Sequence, residues 1–256
     1  MVRPDGRSLS EHRPVKMDVG FHRPSEGSVL YRAGNTVVLC TASVEAQVPD
    51  FLRGRGTGWL TAEYQMHPRA NPPRREQRDG RTKPPSGRTQ EIQRLIGRAL
   101  RATLDMRLLG ERTIAIDCDV LEADGGTRTA SITGGFVALA LAIARLKERG
   151  DLARPVLRDI VAATSVGHLE AGHALDLVYV EDSTARVDLN LVATGQKAIV
   201  EIQGTAEGEA VPRSDLDAMV TLALEGIASL VRIQKDVLAA AKVDLASLFV
   251  AGRWMG

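Results

Sequence analysis

Asp117 to Gly135 reads DCDVLEADGGTRTASITGG, and the change of pattern inside this stretch decides the fold. The apolar, β-branched run from Thr113 to Val120, with Leu121, predicts a strand. Gly125-Gly126-Thr127-Arg128 then predicts a turn, and the small and apolar residues from about Thr129 to Lys147 predict a helix. A strand, a glycine turn and a helix in that order make a site for an anion. Glycine lets the backbone turn back tightly, the N–H groups of the first helical turn lack intrahelical partners, and the helix dipole adds partial positive charge. Arg128 adds a guanidinium whose planar fork matches phosphate oxygens. A glycine turn capped by Thr127, with Arg128 merely solvated, would read the same way, so the rest of the chain has to decide.

With 256 residues, 44% hydrophobic and 25% charged, the chain can bury a sizeable core as one large domain or two lobes. Uninterrupted apolar runs stay well short of the ~20 residues of a membrane span, and MVRPDGRSLSEHRP at the start is polar. The expectation is a cytoplasmic protein without a membrane partner. Cys40 and Cys118 each lie in an apolar strand-like run, which predicts reduced core thiols. The 5 histidines show neither an HExxH spacing nor a C-x-x-C companion, so no zinc motif supports a metal role for them.

The net charge of +1 conceals an asymmetry. Between Arg69 and Arg88 stand Arg69, Arg74, Arg75, Arg78, Arg81, Lys83 and Arg88 against Glu76 and Asp79. Pro72, Pro73, Pro84 and Pro85 exclude a helix there, so the segment is expected to be a loop. A basic loop in a neutral protein points to a polyanion, RNA or DNA, held through phosphate contacts by Arg69, Arg74, Arg75 and Arg78.

In chain order, RPDGR forms a turn-rich arm, and Ser28 to Tyr31 with Thr36 to Val44 predict a hairpin about Ala33-Gly34-Asn35. Gly54, Gly56 and Gly58 do not make a dinucleotide fingerprint, and their segment leads into a strand from Leu60 to Met66. Ile92, Leu95, Ile96, Ala99, Leu100 and Leu104 then recur at helical steps, with Thr89 expected as N-cap and Arg88 just before it. Two arginines at two helix starts, Arg88 and Arg128, can clamp one phosphate. The second helix is apolar nearly all round and so should be buried on most sides, with Gly134 and Gly135 allowing close approach. Pro155 marks a joint, giving an N-terminal lobe over residues 1–150 and a C-terminal lobe over 151–256.

In the second lobe, strands are expected at Ile160 to Leu169, Leu175 to Val180, Ala185 to Val192 and Ala198 to Gln203. A last helix is expected after a capping-box-like Ser214-x-x-Asp217, with Leu216, Val220, Leu224, Ile227 and Val231 facing a sheet. Glu181-Asp182-Ser183-Thr184 supplies turn residues, and the returning strand sets Val187, Leu189 and Leu191 against Arg186, Asp188 and Asn190. Asp182 and Asp188 would thus share one hairpin. Two such carboxylates can hold a hard cation such as Mg²⁺, or one can donate a proton with its pKa raised by the other.

The strings RPDGR, GSVLYRAGNT, GWLTAEYQM, GRTQEIQRLIGRALR, TIAIDCDVLEADGGTRTASITG, LDLVYVEDSTARVDLNLV and VEIQGTAEG, spread over roughly residues 3 to 235, resemble ribonuclease PH. The resemblance implies an α+β ribonuclease PH fold (ribosomal protein S5 domain 2-like), with two βαβ-type lobes whose sheets are covered by helices. It implies phosphate binding by Arg88, Gly126, Thr127 and Arg128, and catalysis and Mg²⁺ binding by Asp182 and Asp188. It further implies a phosphate-dependent 3′-to-5′ exoribonuclease that trims tRNA precursors and other RNAs, with inorganic phosphate as co-substrate, in a homohexamer built as a trimer of dimers. MHPRANPPRR departs from the family pattern, which bears on the RNA-entry loop and ring contacts. Two rivals from other classes are a hydrolytic two-metal nuclease, which has little use for two phosphate-holding arginines, and a catalytically silent RNA-binding ring subunit.

Overall fold

The computed structural model describes residues 3–73, 75–78 and 84–250. The first five strands are β1 (Val15–Val19), β2 (Gly27–Ala33), β3 (Thr36–Glu45), β4 (Trp59–Met66) and β5 (Thr113–Glu122), and they form one sheet in the order β1-β2-β3-β5-β4. β1, β2, β3 and β5 pair antiparallel along the sheet, and β4 lies parallel to β5. The parallel pair is connected through α1 (Gly87–Arg101) and the short α2 (Met106–Leu109), as parallel neighbours require a crossover. The second sheet, β7-β6-β8-β9, is antiparallel in each described pairing and consists of β6 (Val161–Leu169), β7 (Gly172–Leu175), β8 (Val187–Thr194) and β9 (Ile199–Ala206). The α+β class and the helix-covered sheets are as expected, while the parallel βαβ unit belongs to the first sheet.

Helix α3 (Thr127–Glu148) is the axis of the molecule, lying against β2 and β3 on one side and β6 on the other. This explains its composition. Its length and hydropathy would suit a membrane span, but here sheets and helices cover it, with Phe136, Val137, Leu139 and Ile143 fully buried. Gly134 permits the approach to the first sheet, because a Cβ there would stand 2.9 Å from Cys40 Sγ. At Gly135 the same atom would meet only ordinary contacts, so the close approach belongs to Gly134. Cys40 and Cys118 face each other in register across β3 and β5 as free, buried thiols.

The last long helix, α5 (Arg213–Ala240), covers the second sheet, but two details differ from expectation. Pro212 stands at its N-cap and no side-chain cap forms, so Ser214 and Asp217 lie inside the helix. Its buried stripe is Met219, Ala223, Leu230 and Leu238 with the expected Ile227 and Val231, whereas Leu216 is exposed, because the face is set by the sheet beneath. Likewise Leu175 to Val180 is not a strand throughout. The chain leaves β7 at Leu175, turns through Asp176 with φ 54°, and enters the one-turn helix α4 (Tyr179–Asp182).

A buried ion pair fixes that turn. Arg13 donates from Nε to Asp176 Oδ2 at 2.9 Å and from Nη2 to Oδ1 at 2.6 Å, a bidentate geometry, and its backbone N–H adds a third bond at 2.8 Å. Burial alone would raise the carboxyl pKa of Asp176, but the hydrogen bonds and charges of Arg13 and His12 overwhelm it and hold Asp176 far below the usual carboxylate range. A depressed pKa contributes stability above the ordinary value of 3.8 that is lost as the pH falls below it. Asp176→Asn, which leaves a buried guanidinium short of its partner, is expected to cost about 3–5 kcal/mol. Urea denaturation from pH 7 downwards should show a steep loss of stability in acid for the native chain and a flatter profile for the variant.

Candidate active site

The turn after β5 is built for close backbone approach. Gly125 and Gly126 both have positive φ, 76° and 67°, and a Cβ on Gly125 would run into the backbone of Leu177 and Val178. Gly126 is the N-cap of α3 and makes no side-chain cap, so the helix begins at Thr127, two residues earlier than expected. The N–H groups of its first turn therefore face the same space as Arg128. Thr36 and Arg13 brace the turn from behind: Thr36 Oγ1 donates to Gly125 O at 2.7 Å, and Arg13 Nη1 to Asp124 O at 2.6 Å.

Arg128 is mostly buried, with its side chain 18% exposed, and is aimed by its neighbours. Nη1 donates to Gln203 Oε1 of β9 at 2.9 Å and lies 3.6 Å from Glu91 Oε1 of α1. Gln203 Nε2 in turn donates to Glu91 Oε1 at 3.2 Å and to Glu201 Oε1 at 3.2 Å, so both lobes hold one guanidinium. Arg88 is the second residue of α1, inside its first turn, because Ser86 and not Thr89 is the N-cap. Ser86 Oγ accepts the Thr89 N–H at 3.2 Å. Arg88 is exposed and makes no hydrogen bond or ion pair among the described residues, which leaves its fork available to an anion. Tyr64 completes this side. Its Oη is 2.8 Å from Thr127 Oγ1, and its phenol pKa is raised by burial even though the Thr127 bond and the charges of Arg88 and Arg128 pull it down.

Asp182 and Asp188 come together on the second lobe, but not on a hairpin. Asp182 ends α4, Asp188 lies on β8, and the hairpin of this region is the neighbouring β6–β7. Glu181, expected as a solvated turn residue, is buried and takes two bonds from Arg3, at 2.8 Å and 2.7 Å. Arg3 also donates to Leu175 O and Asp176 O, so the N-terminal arm anchors the helix that carries Asp182. Burial raises the pKa of Asp182, while Arg128 and Arg88 pull it back. For Asp188, burial comes first and the neighbouring charge of Asp182 adds to it, against Arg128, two bonds from Asn190 Nδ2 and Arg88. Two carboxylates that resist ionisation side by side are a fitting oxygen donor set for a hard divalent cation.

The structure thus places Arg88, Gly126, Thr127, Arg128, Asp182 and Asp188 around one space, each carboxyl sensing both guanidinium charges. Arg69, Arg75 and Arg78 lie on the exposed stretch beyond β4, with Arg69 Nη1 bonded to Pro73 O at 2.8 Å. Arg74 lies outside the described residues. A groove of about 1120 Å³ is lined by Arg69 and Pro73 of this stretch and by Asp124 and Tyr179, which precede the glycine turn and open α4. The supporting residues Arg13, Asp176, Tyr64, Gln203 and Asn190 were not singled out from sequence. Only Asn190 carried a signal, through its alternation with Asp188.

An anion cradle on one lobe facing a carboxylate pair on the other defines an α+β protein built to bring a phosphate-like group against a second charged centre. The chain matches the model of the 3′ exoribonuclease family, domain 1, over residues 11–144 and that of domain 2 over residues 159–226, and it belongs to this family, that of ribonuclease PH. Solved structures share its fold. Rice (Oryza sativa) Rrp46 superposes with a TM-score of 0.74 at 16% identity, covering 92% of this chain and 100% of its own. The Archaeoglobus fulgidus exosome with RNA bound to the active site gives 0.73 at 20%, covering 90% and 92%, and an archaeal exosome core 0.71 at 18%, covering 91% of each.

The raised pKa of Asp188 carries a stability consequence. A carboxyl whose pKa is raised by folding favours the folded state most in acid, and that contribution is lost as the pH rises through the raised value. Asp188→Asn, which can keep an Asn190 contact, is therefore expected to raise the thermal midpoint at pH 7 by a few degrees, on the order of 2–4 °C. The gain should vanish when the scan is repeated in acid, below the ordinary carboxylate pKa of 3.8.

Proposed function

We propose that this protein shortens RNA from its 3′ end by phosphorolysis, converting RNA(n) and inorganic phosphate into RNA(n−1) and a nucleoside diphosphate. The observation that carries this reading is the anion cradle facing the carboxylate pair. A hydrolytic nuclease needs water at its phosphodiester, whereas Arg88, Arg128 and the start of α3 form a cationic seat beside the carboxylates that fits an inorganic phosphate. A phosphate oxygen attacks the terminal phosphorus, the bond to the 3′-oxygen breaks, and that oxygen takes up a proton. Two anions resist this approach, so fixed positive charge on the nucleophile's side lowers the barrier by holding phosphate in line. Tyr64, neutral and bonded to Thr127, closes the cradle against water. Asp182 and Asp188 would hold Mg²⁺, which when bound supplies charge stabilisation for the leaving oxygen. Without the ion, Asp188, whose pKa burial and the charge of Asp182 both raise, is the carboxyl better suited to supply the proton.

The same reading assigns the exposed Arg69, Arg75 and Arg78, with Arg74, to phosphate contacts with long RNA. Substrates are the 3′ tails of tRNA precursors and other RNAs in the cytoplasm, and the working particle is a homohexamer, a trimer of dimers. Support for RNA and for a ring comes from the likeness to exosome cores, one of them with RNA at its active site.

The experiment is direct. Purified protein incubated with a short 3′-tailed RNA and Mg²⁺ should release nucleoside diphosphates with phosphate present and nothing without it; monophosphates in the absence of phosphate would overturn the reading. Arg128→Ala should raise the phosphate requirement by about ten- to a hundredfold, the worth of one charge-assisted contact, while folding survives.

Replacing Arg69, Arg75 and Arg78 by Gln together should weaken binding of tRNA-sized RNA and reduce its salt dependence by up to about three counterions' worth. Cleavage of a very short oligonucleotide should stay near the native rate.

A further inference from the structure

On the second lobe, three ligating side chains from three elements converge outside the site described above. His168 on β6 and His173 on β7 are direct partners in the hairpin register, and their rings meet edge to face with centroids 4.8 Å apart. Asp215, in the first turn of α5, brings Oδ2 to 3.7 Å from His168 Nδ1. One ligand atom from each residue lies within 4.8 Å of the other two. His168 Nδ1 is sealed from solvent and has no hydrogen-bond partner among the described residues, and 3.7 Å to the carboxylate is too long to provide one. Buried imidazole nitrogens in folded proteins are otherwise partnered, so this atom points to a ligand.

We infer that His168, His173 and Asp215 bind a transition-metal ion of the zinc class. Two imidazoles and one carboxylate suit zinc, cobalt or nickel, whereas magnesium and calcium take oxygen donors almost entirely. Bonds of about 2.0–2.1 Å in a tetrahedron bring donor atoms to roughly 3.3 Å from each other, so the cluster has to contract by about 1.5 Å at most. The side chains have room to do so, since those of His168 and Asp215 retain 20% and 28% exposure. That opening also leaves a fourth position for water. The ion staples the start of α5 to the β6–β7 hairpin. Its effect reaches the carboxylate pair through one residue, because Gly167, beside His168, is the register partner of Asp188.

The test uses the full chain without an affinity tag and Co²⁺ as the probe, followed by displacement with Zn²⁺. Expected are one tightly bound Co²⁺ per chain with the visible bands of a tetrahedral site, their loss on adding Zn²⁺, and a higher thermal midpoint with one equivalent of Zn²⁺. His173→Ala and Asp215→Asn should each weaken Co²⁺ at least about tenfold and abolish the thermal shift. Asp215→Asn substitutes a partly exposed helix residue, so it reports on the site even if a histidine variant folds poorly. A double Asp182→Asn, Asp188→Asn variant should keep the bands. Absence of tetrahedral bands, their survival in Asp215→Asn, or their loss in the double variant would overturn the assignment.

Discussion

The two turns that flank the site, one on each lobe, depend on the buried pairing of Arg13 with Asp176. Arg13 precedes the first sheet and Asp176 follows the second sheet's hairpin, yet the same guanidinium that grips Asp176 also donates to Asp124 O and touches Gly125 O at 3.4 Å. One planar group thus sets the glycine turn of the first lobe and the turn into α4 of the second. A buried ion pair of this kind contributes little net stability over well-packed apolar residues, because two desolvated charges offset their own attraction. Its value here is positional. Six hydrogen bonds from one arginine leave both turns a single relative placement.

That placement creates the site's electrostatic character. The first lobe contributes positive charge at two helix starts, where orphan N–H groups and the dipoles of α1 and α3 add to Arg88 and Arg128. The second contributes two carboxylates. Burial raises the pKa of both, although Asp182 keeps an exposed face and Asp188 is half-buried, and the guanidiniums offset this only in part. The result is a polarised cleft, cationic on one lobe and acidic on the other. Strain of this sort is common where a protein gives up stability for function.

Elements set by local pattern were legible in the chain. The strand of TIAIDCDV, the hairpin about Gly34 and the buried face of α1 follow from periodicity and turn chemistry that tertiary contacts reinforce. The arginine and aspartate pairs also stood out in the chain, and the structure brings them to one space. What stayed hidden was set at long range. YVED looks like the end of a strand until Arg3 and Arg13 pull Glu181 and Asp176 into a turn and a helix. Arg3, in a stretch that reads as a polar arm, is buried because its partner arrives 178 positions later. The stripe of α5 was placed in part: Ile227 and Val231 are buried as the pattern predicts, but Leu216 is exposed, as a helix apolar on more than one side takes its buried face from the surface it meets. His168 and His173 form no helical motif, since a hairpin register and not a sequence spacing makes them neighbours.

The reach of the N-terminal arm also bears on how the chain is made. A ribosome delivers Arg3 and Arg13 first, at about 5–20 residues per second, and Asp176 and Glu181 only after roughly 160 more residues. Until then Arg13 lacks the carboxylate that orients its guanidinium toward the glycine turn. The first sheet, with its local hairpins, can form early, but the brace at Gly125 and Gly126 is complete only when the second lobe has docked. The two turns that flank the site therefore reach their final shape together.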